Sequence, residues 1–133
     1  MTDTITPVLR ALVVATLLMA SAAVMLVAVS QARAAGALAI GNCGAYGQAF
    51  DFGSVKKASL SARLRCKGKS CRVVATVKRG CAAYSVDFSN PCGGHGWGKA
   101  SKLGRAQNVA LRSCYSHGGK DCIIRTFFCD GRG

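Results

Sequence analysis

A chain of 133 residues leaves room for one domain at most, which excludes a multidomain assembly. Its 18 Lys and Arg against 5 Asp and Glu give a formal charge of +13. That balance favours contact with anionic polymers or lipid headgroups, and it equally suits a soluble surface with no specific partner.

The N-terminus stands apart. Arg10 supplies a positive flank, and Ala11 to Val29 is an uncharged, almost wholly apolar run of 19 residues. Ala32-Arg33-Ala34 has the small-x-small form of a signal peptidase site. Residues 1–34 therefore read as a signal peptide and residues 35–133 as a single exported domain. The run also approaches the ~20 residues that span a bilayer, so an inner-membrane anchor at 11–29 is the alternative. Both readings put the remainder in a secreted, periplasmic or envelope setting.

All eight cysteines lie in that remainder. An even number in a short exported chain points to disulfides rather than metal ligands. They form two sets, Cys43, Cys66, Cys71, Cys81 and Cys92, Cys114, Cys122, Cys129, offset in order by 49, 48, 51 and 48 residues. Near-equal offsets mark a tandem repeat, about 36–81 and 82–129. Equivalent cysteines should pair equivalently. Cys66–Cys71 and Cys114–Cys122 are expected as local staples, and Cys43–Cys81 and Cys92–Cys129 as closures of each repeat, with cross-repeat pairing of these last four open. Loop-closure entropy assigns about 2 kcal/mol to the 66–71 staple and about 4 kcal/mol to a 43–81 closure, enough to dominate the stability of so small a core.

Gly36 to Gly41 reads as a buried strand and Ala45 to Phe50 as a second. Residues 54–66 alternate as a strand would, with Ala58, Leu60, Ala62, Leu64 and Cys66 apolar. The second copy corrects this. Leu103, Ala106, Ala110 and Cys114 recur at intervals of 3, 4 and 4, one face of a helix, and their counterparts Val55, Ala58, Ala62 and Cys66 keep the same intervals. Both segments are expected to be helices, with Ser54 and Ser101 as N-caps and alanine faces that allow close approach to a sheet. Cys71 to Val77, Cys81 to Val86, Gly94 to Lys99 and Cys122 to Cys129 complete the strands. Each repeat is thus strand–strand–helix–strand. Two copies are expected to form one mainly antiparallel sheet with both helices on one face, a disulfide-stapled α+β domain.

The glycine-flanked opening Gly36-Ala37-Leu38-Ala39-Ile40, the helix end Ala62-Arg63-Leu64-Arg65-Cys66, Cys71-Arg72-Val73-Val74 and Gly80-Cys81-Ala82-Ala83-Tyr84 carry a resemblance. Gly96-Trp97-Gly98, Ala110-Leu111-Arg112-Ser113-Cys114 and Cys122-Ile123-Ile124 continue it. Over about Gly36 to Cys129 the chain resembles the bacterial secreted domain of unknown function numbered 4189. The resemblance implies export and a duplicated α+β fold, and it brings no catalytic residues. Two departures from the family pattern are the ending Ile40-Gly41, where a Tyr-Ser-like pair is expected, and the added Cys43 and Cys92.

Candidate chemistry is sparse. Gly93 to Ala100 nearly matches a phosphate-binding loop, but Ala100 replaces the hydroxyl residue that would hold magnesium. His95 and His117 could serve as base and acid in RNA cleavage with Lys99 or Lys120 nearby; the plainer reading is two exposed loop histidines. Cys92 and His95 have a zinc-compatible spacing, against which disulfide formation competes. Asp51, Asp87, Asp121 and Asp130 read as isolated residues. No cofactor or metal is expected. Lys56, Lys57, Arg63 and Arg65 on the first helix, Lys67 and Lys69 after it, and Lys102 and Arg105 on the second are the candidate contacts for an anionic polymer, a membrane surface or an acidic protein. The leading expectation is a non-enzymatic envelope or partner-surface binding module. A small secreted hydrolase, most plausibly a nuclease using His95 and His117, is the alternative.

Overall fold

The computed structural model describes residues 34–131. The leader and anchor readings of the N-terminus fall on residues 1–33, outside the described residues. Eight elements follow: β1 (Ala35–Ile40), β2 (Tyr46–Phe52), α1 (Val55–Arg65), β3 (Arg72–Val77), β4 (Gly80–Asp87), β5 (His95–Ala100), α2 (Leu103–Ser116) and β6 (Cys122–Asp130).

The strands form two three-stranded antiparallel sheets, ordered β2-β1-β3 and β5-β4-β6. The expectation of one sheet with helices on one face is corrected by this layout. The reason lies in how each central strand divides its side chains. Leu38 and Ile40 of β1, Ala75 and Val77 of β3, Ala82, Tyr84 and Val86 of β4 and Phe128 of β6 meet in one cluster, so the two sheets face each other. Alternate residues point the other way. Ala37, Ala39 and Ala49 pack on Ala58 and Ala62 of α1. Cys81 and Ala83 pack on Ala106 and Ala110 of α2. The layers therefore run helix, sheet, sheet, helix, and each sheet is covered on both faces.

Large side chains fill the space between sheets, whereas small ones let each helix come close. Gly47 in β2 lies against α1: a Cβ there would overlap the Ala62 carbonyl oxygen and the Cys66 amide. In β5, Gly98 holds the equivalent relation to the Ala106 carbonyl of α2. The glycine-rich stretch that resembled a phosphate loop is thus a strand pressed against a helix. Ser54 caps α1 as expected, its hydroxyl accepting from the Lys57 N–H at 3.3 Å. Ser101 does not cap α2. The N-cap is Lys102, which makes no side-chain cap bond.

All eight cysteines are paired. The staples Cys66–Cys71 and Cys114–Cys122 each tie a helix end to the strand that follows it. The closures Cys43–Cys81 and Cys92–Cys129 are replaced by Cys43–Cys92 and Cys81–Cys129. Position explains the difference. Gly80 and Cys81 belong to β4, so Cys81 opens the second half instead of closing the first, and it sits opposite Cys129 in the β4–β6 ladder. Cys43 lies in the 3-10 turn after β1 and Cys92 in the loop after β4. These two turns occupy matching places in the two halves, and the bond joins one half to the other. A hydrogen bond of 2.6 Å from the Thr126 hydroxyl of β6 to the Gln48 side-chain oxygen of β2 is a second link.

Two glycines separate packing from chain flexibility. Gly47→Ala should destabilise by about 1–3 kcal/mol, because helix and strand must part to admit the methyl group. Gly104→Ala, on α2 with open space around it, should stabilise by about 1 kcal/mol through helix propensity. Thermal unfolding of both variants under non-reducing conditions checks the opposite signs.

Candidate functional site

The loops at one end of the second half bring the two histidines together. His95 is the first residue of β5, paired with Val86. His117 is the C-cap of α2, its N–H reaching the Ser113 and Cys114 carbonyls. Gly94 and Gly119 make the meeting feasible. A Cβ on Gly94 would run into the backbone of Gly119, so the turn before β5 and the loop after α2 touch main chain to main chain. The Cys114–Cys122 bond ties the last turn of α2 to the start of β6 and so closes that loop.

The histidine rings lie 6.5 Å apart between centroids, with planes only 15° apart. The His117 Nδ1 is 2.6 Å from the Ser113 carbonyl oxygen and the His95 Nδ1 3.3 Å from that of Gly93. A carbonyl only accepts, so each Nδ1 carries the proton and each Nε2 is the free nitrogen of the neutral ring. Both rings are exposed. Lys99 does not join them: it stands four residues along β5 from His95, about 13 Å at strand rise.

Asp87, at the end of β4, fixes this region. Its carboxylate accepts from the Lys120 N–H at 2.8 Å, the Ser89 N–H and hydroxyl at 3.0 Å each, and the Asn90 N–H at 3.4 Å. It therefore clamps the loop leading to His95 to the loop carrying His117. The Lys120 amide foremost, with Ser89 and Asn90, holds the Asp87 carboxyl below its ordinary range despite its burial.

A cleft of about 460 Å³ lies where the halves join, lined by Asn42, Ser70, Arg72 and His95 together with the Cys43–Cys92 pair. The sulfur of Cys92 is committed to that bond, which removes the Cys92–His95 zinc spacing. Among the described residues no group of three His, Cys, Asp or Glu side chains is placed to hold a metal.

The basic residues divide between two faces. Lys56 and Lys57 stand in the first turn of α1, Arg63 and Arg65 in its last, with Lys67 and Lys69 in the loop beyond. Lys102 and Arg105 sit at the start of α2, on the opposite outer layer. They form separate patches. The Arg65 guanidinium also donates to the Gln48 carbonyl at 3.1 Å. A groove missed in the sequence gathers Lys78 and Arg79 of the β3–β4 turn with Lys99 of β5, about 330 Å³ in volume. Its signal was present only in the strand register: Ala82 pairs with Lys99, which places that lysine beside the turn.

The four aspartates are not all isolated either. Asp51 and Asp130 stand close enough for the Asp51 charge to push the Asp130 carboxyl up, behind the larger effect of burial. The 78 residues between them in sequence hid this, because β2 and β6 belong to different sheets.

Residues 35–129 match the family described as Domain of unknown function (DUF4189). No curated protein and no solved structure matches the chain.

Asp87 sets the acid limit of this region. Its folded-state pKa lies below the unfolded value of about 3.9, so its contribution is complete above that value and is lost as pH falls through the folded pKa. Asp87→Asn should lower the thermal midpoint at pH 7 and shrink the gap to wild type as pH falls towards 2. A gap independent of pH would rule out the carboxylate clamp.

Proposed function

Given that the chain belongs to the DUF4189 family of domains of unknown function, we propose that it is a cationic, non-enzymatic binding module that engages an anionic polymer in an oxidising, exported setting. The observation that carries this reading is how burial sorts the charges. All 15 Lys and Arg of residues 34–131 are exposed, while Asp87 and Asp130 are buried, leaving only Asp51 and Asp121 as exposed carboxylates. The surface is therefore more one-signed than the composition.

Helix electrostatics add support. Neither helix has an acidic residue in its first turn. Lys56, Lys57, Lys102 and Arg105 stand there instead, where the helix dipole disfavours positive charge. Cations kept against local stability fit a surface arranged for an anionic partner. The groove of Lys78, Arg79 and Lys99 suits a phosphate or carboxylate group along such a polymer. A membrane surface and an acidic protein are the other partners this charge would attract.

Retention on a phosphate-bearing polymer should fall steeply with salt, and Lys78→Glu with Lys99→Glu should weaken it at every salt concentration. Lys57→Glu gives a sharper outcome. It completes a Ser54-x-x-Glu capping box, so it should raise stability by about 0.3–1 kcal/mol while weakening retention. Retention unaffected by any of these charge reversals would refute the reading.

One observation favours a second reading. The neighbouring rings of His95 and His117, 6.5 Å apart between centroids, support acid–base cleavage of a phosphodiester held by the basic surface, one Nε2 accepting a proton while the other ring, in its protonated form, donates one. On this reading, RNA incubated with the protein is cut and the His95→Ala/His117→Ala variant leaves it intact. Equal RNA survival with both proteins eliminates it.

A further inference from the structure

Two carboxyl groups stand near the start of β1, and no cation of the described chain pairs with the buried one. Asp130 is fully buried, and among the described residues its carboxylate oxygens have no side-chain or cationic partner: only the backbone N–H groups of Asp51 and Gly131 come near enough to favour its charged form, and neither makes a hydrogen bond of good geometry. A buried, unpaired carboxylate is among the costliest groups a fold can contain. Its Oδ2 would lie 3.1 Å from a Cβ built on Gly36, which puts it against the second residue of β1. Asp51 approaches from the other side. A register shift falls between the pairs Ala35–Phe52 and Ala37–Ala49, so Phe50 and Asp51 bulge opposite Gly36. Asp51 takes a left-handed φ of 61° at this bulge, the region the G1 type of bulge uses. Two of the four carboxylates in the described chain thus converge on Ala35 and Gly36.

The sequence places a signal peptidase motif, Ala32-Arg33-Ala34, directly before Ala35. The family match also begins at residue 35. Hydrolysis of the Ala34–Ala35 bond by an export peptidase consumes one water, leaves a carboxylate on Ala34 and releases the amine of Ala35, protonated to an ammonium. That nitrogen lies one residue from Gly36, about 5 Å from its Cα across a trans peptide. Ala35 is itself buried.

We propose that the Ala35 α-ammonium created by cleavage is the missing partner of Asp130, with Asp51 as the second carboxylate of the site. The ammonium brings one positive charge and three N–H donors to two acceptor groups that otherwise repel each other. Cleavage thereby turns a destabilising buried acid into an ion pair that locks the first strand, and the domain reaches full stability only after its leader is removed. This is independent of what the surface binds.

The test compares two forms of the full-length gene product. The processed protein is purified from exporting cells. The unprocessed protein carries Ala32→Phe, which removes the small residue the peptidase needs, and both are measured in the same mild detergent. Mass analysis should give Ala35 as the processed N-terminus. Asp130→Asn should lower the midpoint of the processed form by several °C and leave that of the unprocessed form unchanged or raised, a reversal that loss of ordinary packing would not produce. The native processed protein should also react with an α-amine reagent at least tenfold more slowly than the reduced, unfolded chain. If processed Asp130→Asn fails to fold, this protection decides the question on wild-type protein. A mature N-terminus elsewhere, equal destabilisation of both forms, or an α-amine as reactive as in the unfolded chain each overturns the proposal.

Discussion

Two strands have no exposed residue, Ala35–Ile40 and Gly80–Asp87, and the rest of the fold answers that constraint. A central strand buried on both faces needs an antiparallel neighbour on each side for its backbone and a cover above and below for its side chains. β2 and β3 satisfy the first strand, β5 and β6 the second. Each sheet then has a large-residue face and a small-residue face. The large faces meet around Leu38 and Tyr84, and the small faces take a helix each. The glycines of β2 and β5 belong to this solution, since bulk there would lift the helices away.

So small a core leaves much of the stability to covalent links. Two disulfides staple a helix to a strand, one bridges the β4–β6 ladder, and Cys43–Cys92 crosses between halves. That crossing bond uses the two cysteines that stood outside the family resemblance, and they explain each other: each turn contributes one sulfur to a bond that fixes one half to the other. The four bonds also place the domain in an oxidising environment. Among the described residues no helix is long and apolar enough to cross a membrane.

Burial separates the charges by sign. The cations remain on the outside, whereas Asp87 is drawn in to satisfy backbone N–H groups and Asp130 is drawn in beside the first strand. The buried carboxyl groups thus lie at two ends of the domain: Asp87 ties the histidine loops together, and Asp130 stands where β1 begins. Tyr84 is a further buried polar group, its hydroxyl without a partner among the described residues and its pKa pushed up by burial, more than the Arg125 charge lowers it.

Much of this was legible before any coordinates. The intervals at Val55, Ala58 and Ala62 and at Leu103, Ala106 and Ala110 identified both helices, because helical periodicity is carried by residues only three or four apart. The local staples were legible for the same reason: five or eight residues of chain keep two sulfurs together. The division into two facing sheets, the partners of Cys43 and Cys81, the groove of Lys78, Arg79 and Lys99, the stacking of His95 on His117 and the approach of Asp51 to Asp130 were not legible. Each joins residues on different strands or loops, and a repeat offset cannot say whether Cys81 ends one half or begins the next. Short-range spacing specified the elements. The contacts that could carry chemistry arose only when burying both faces of two central strands brought distant loops together.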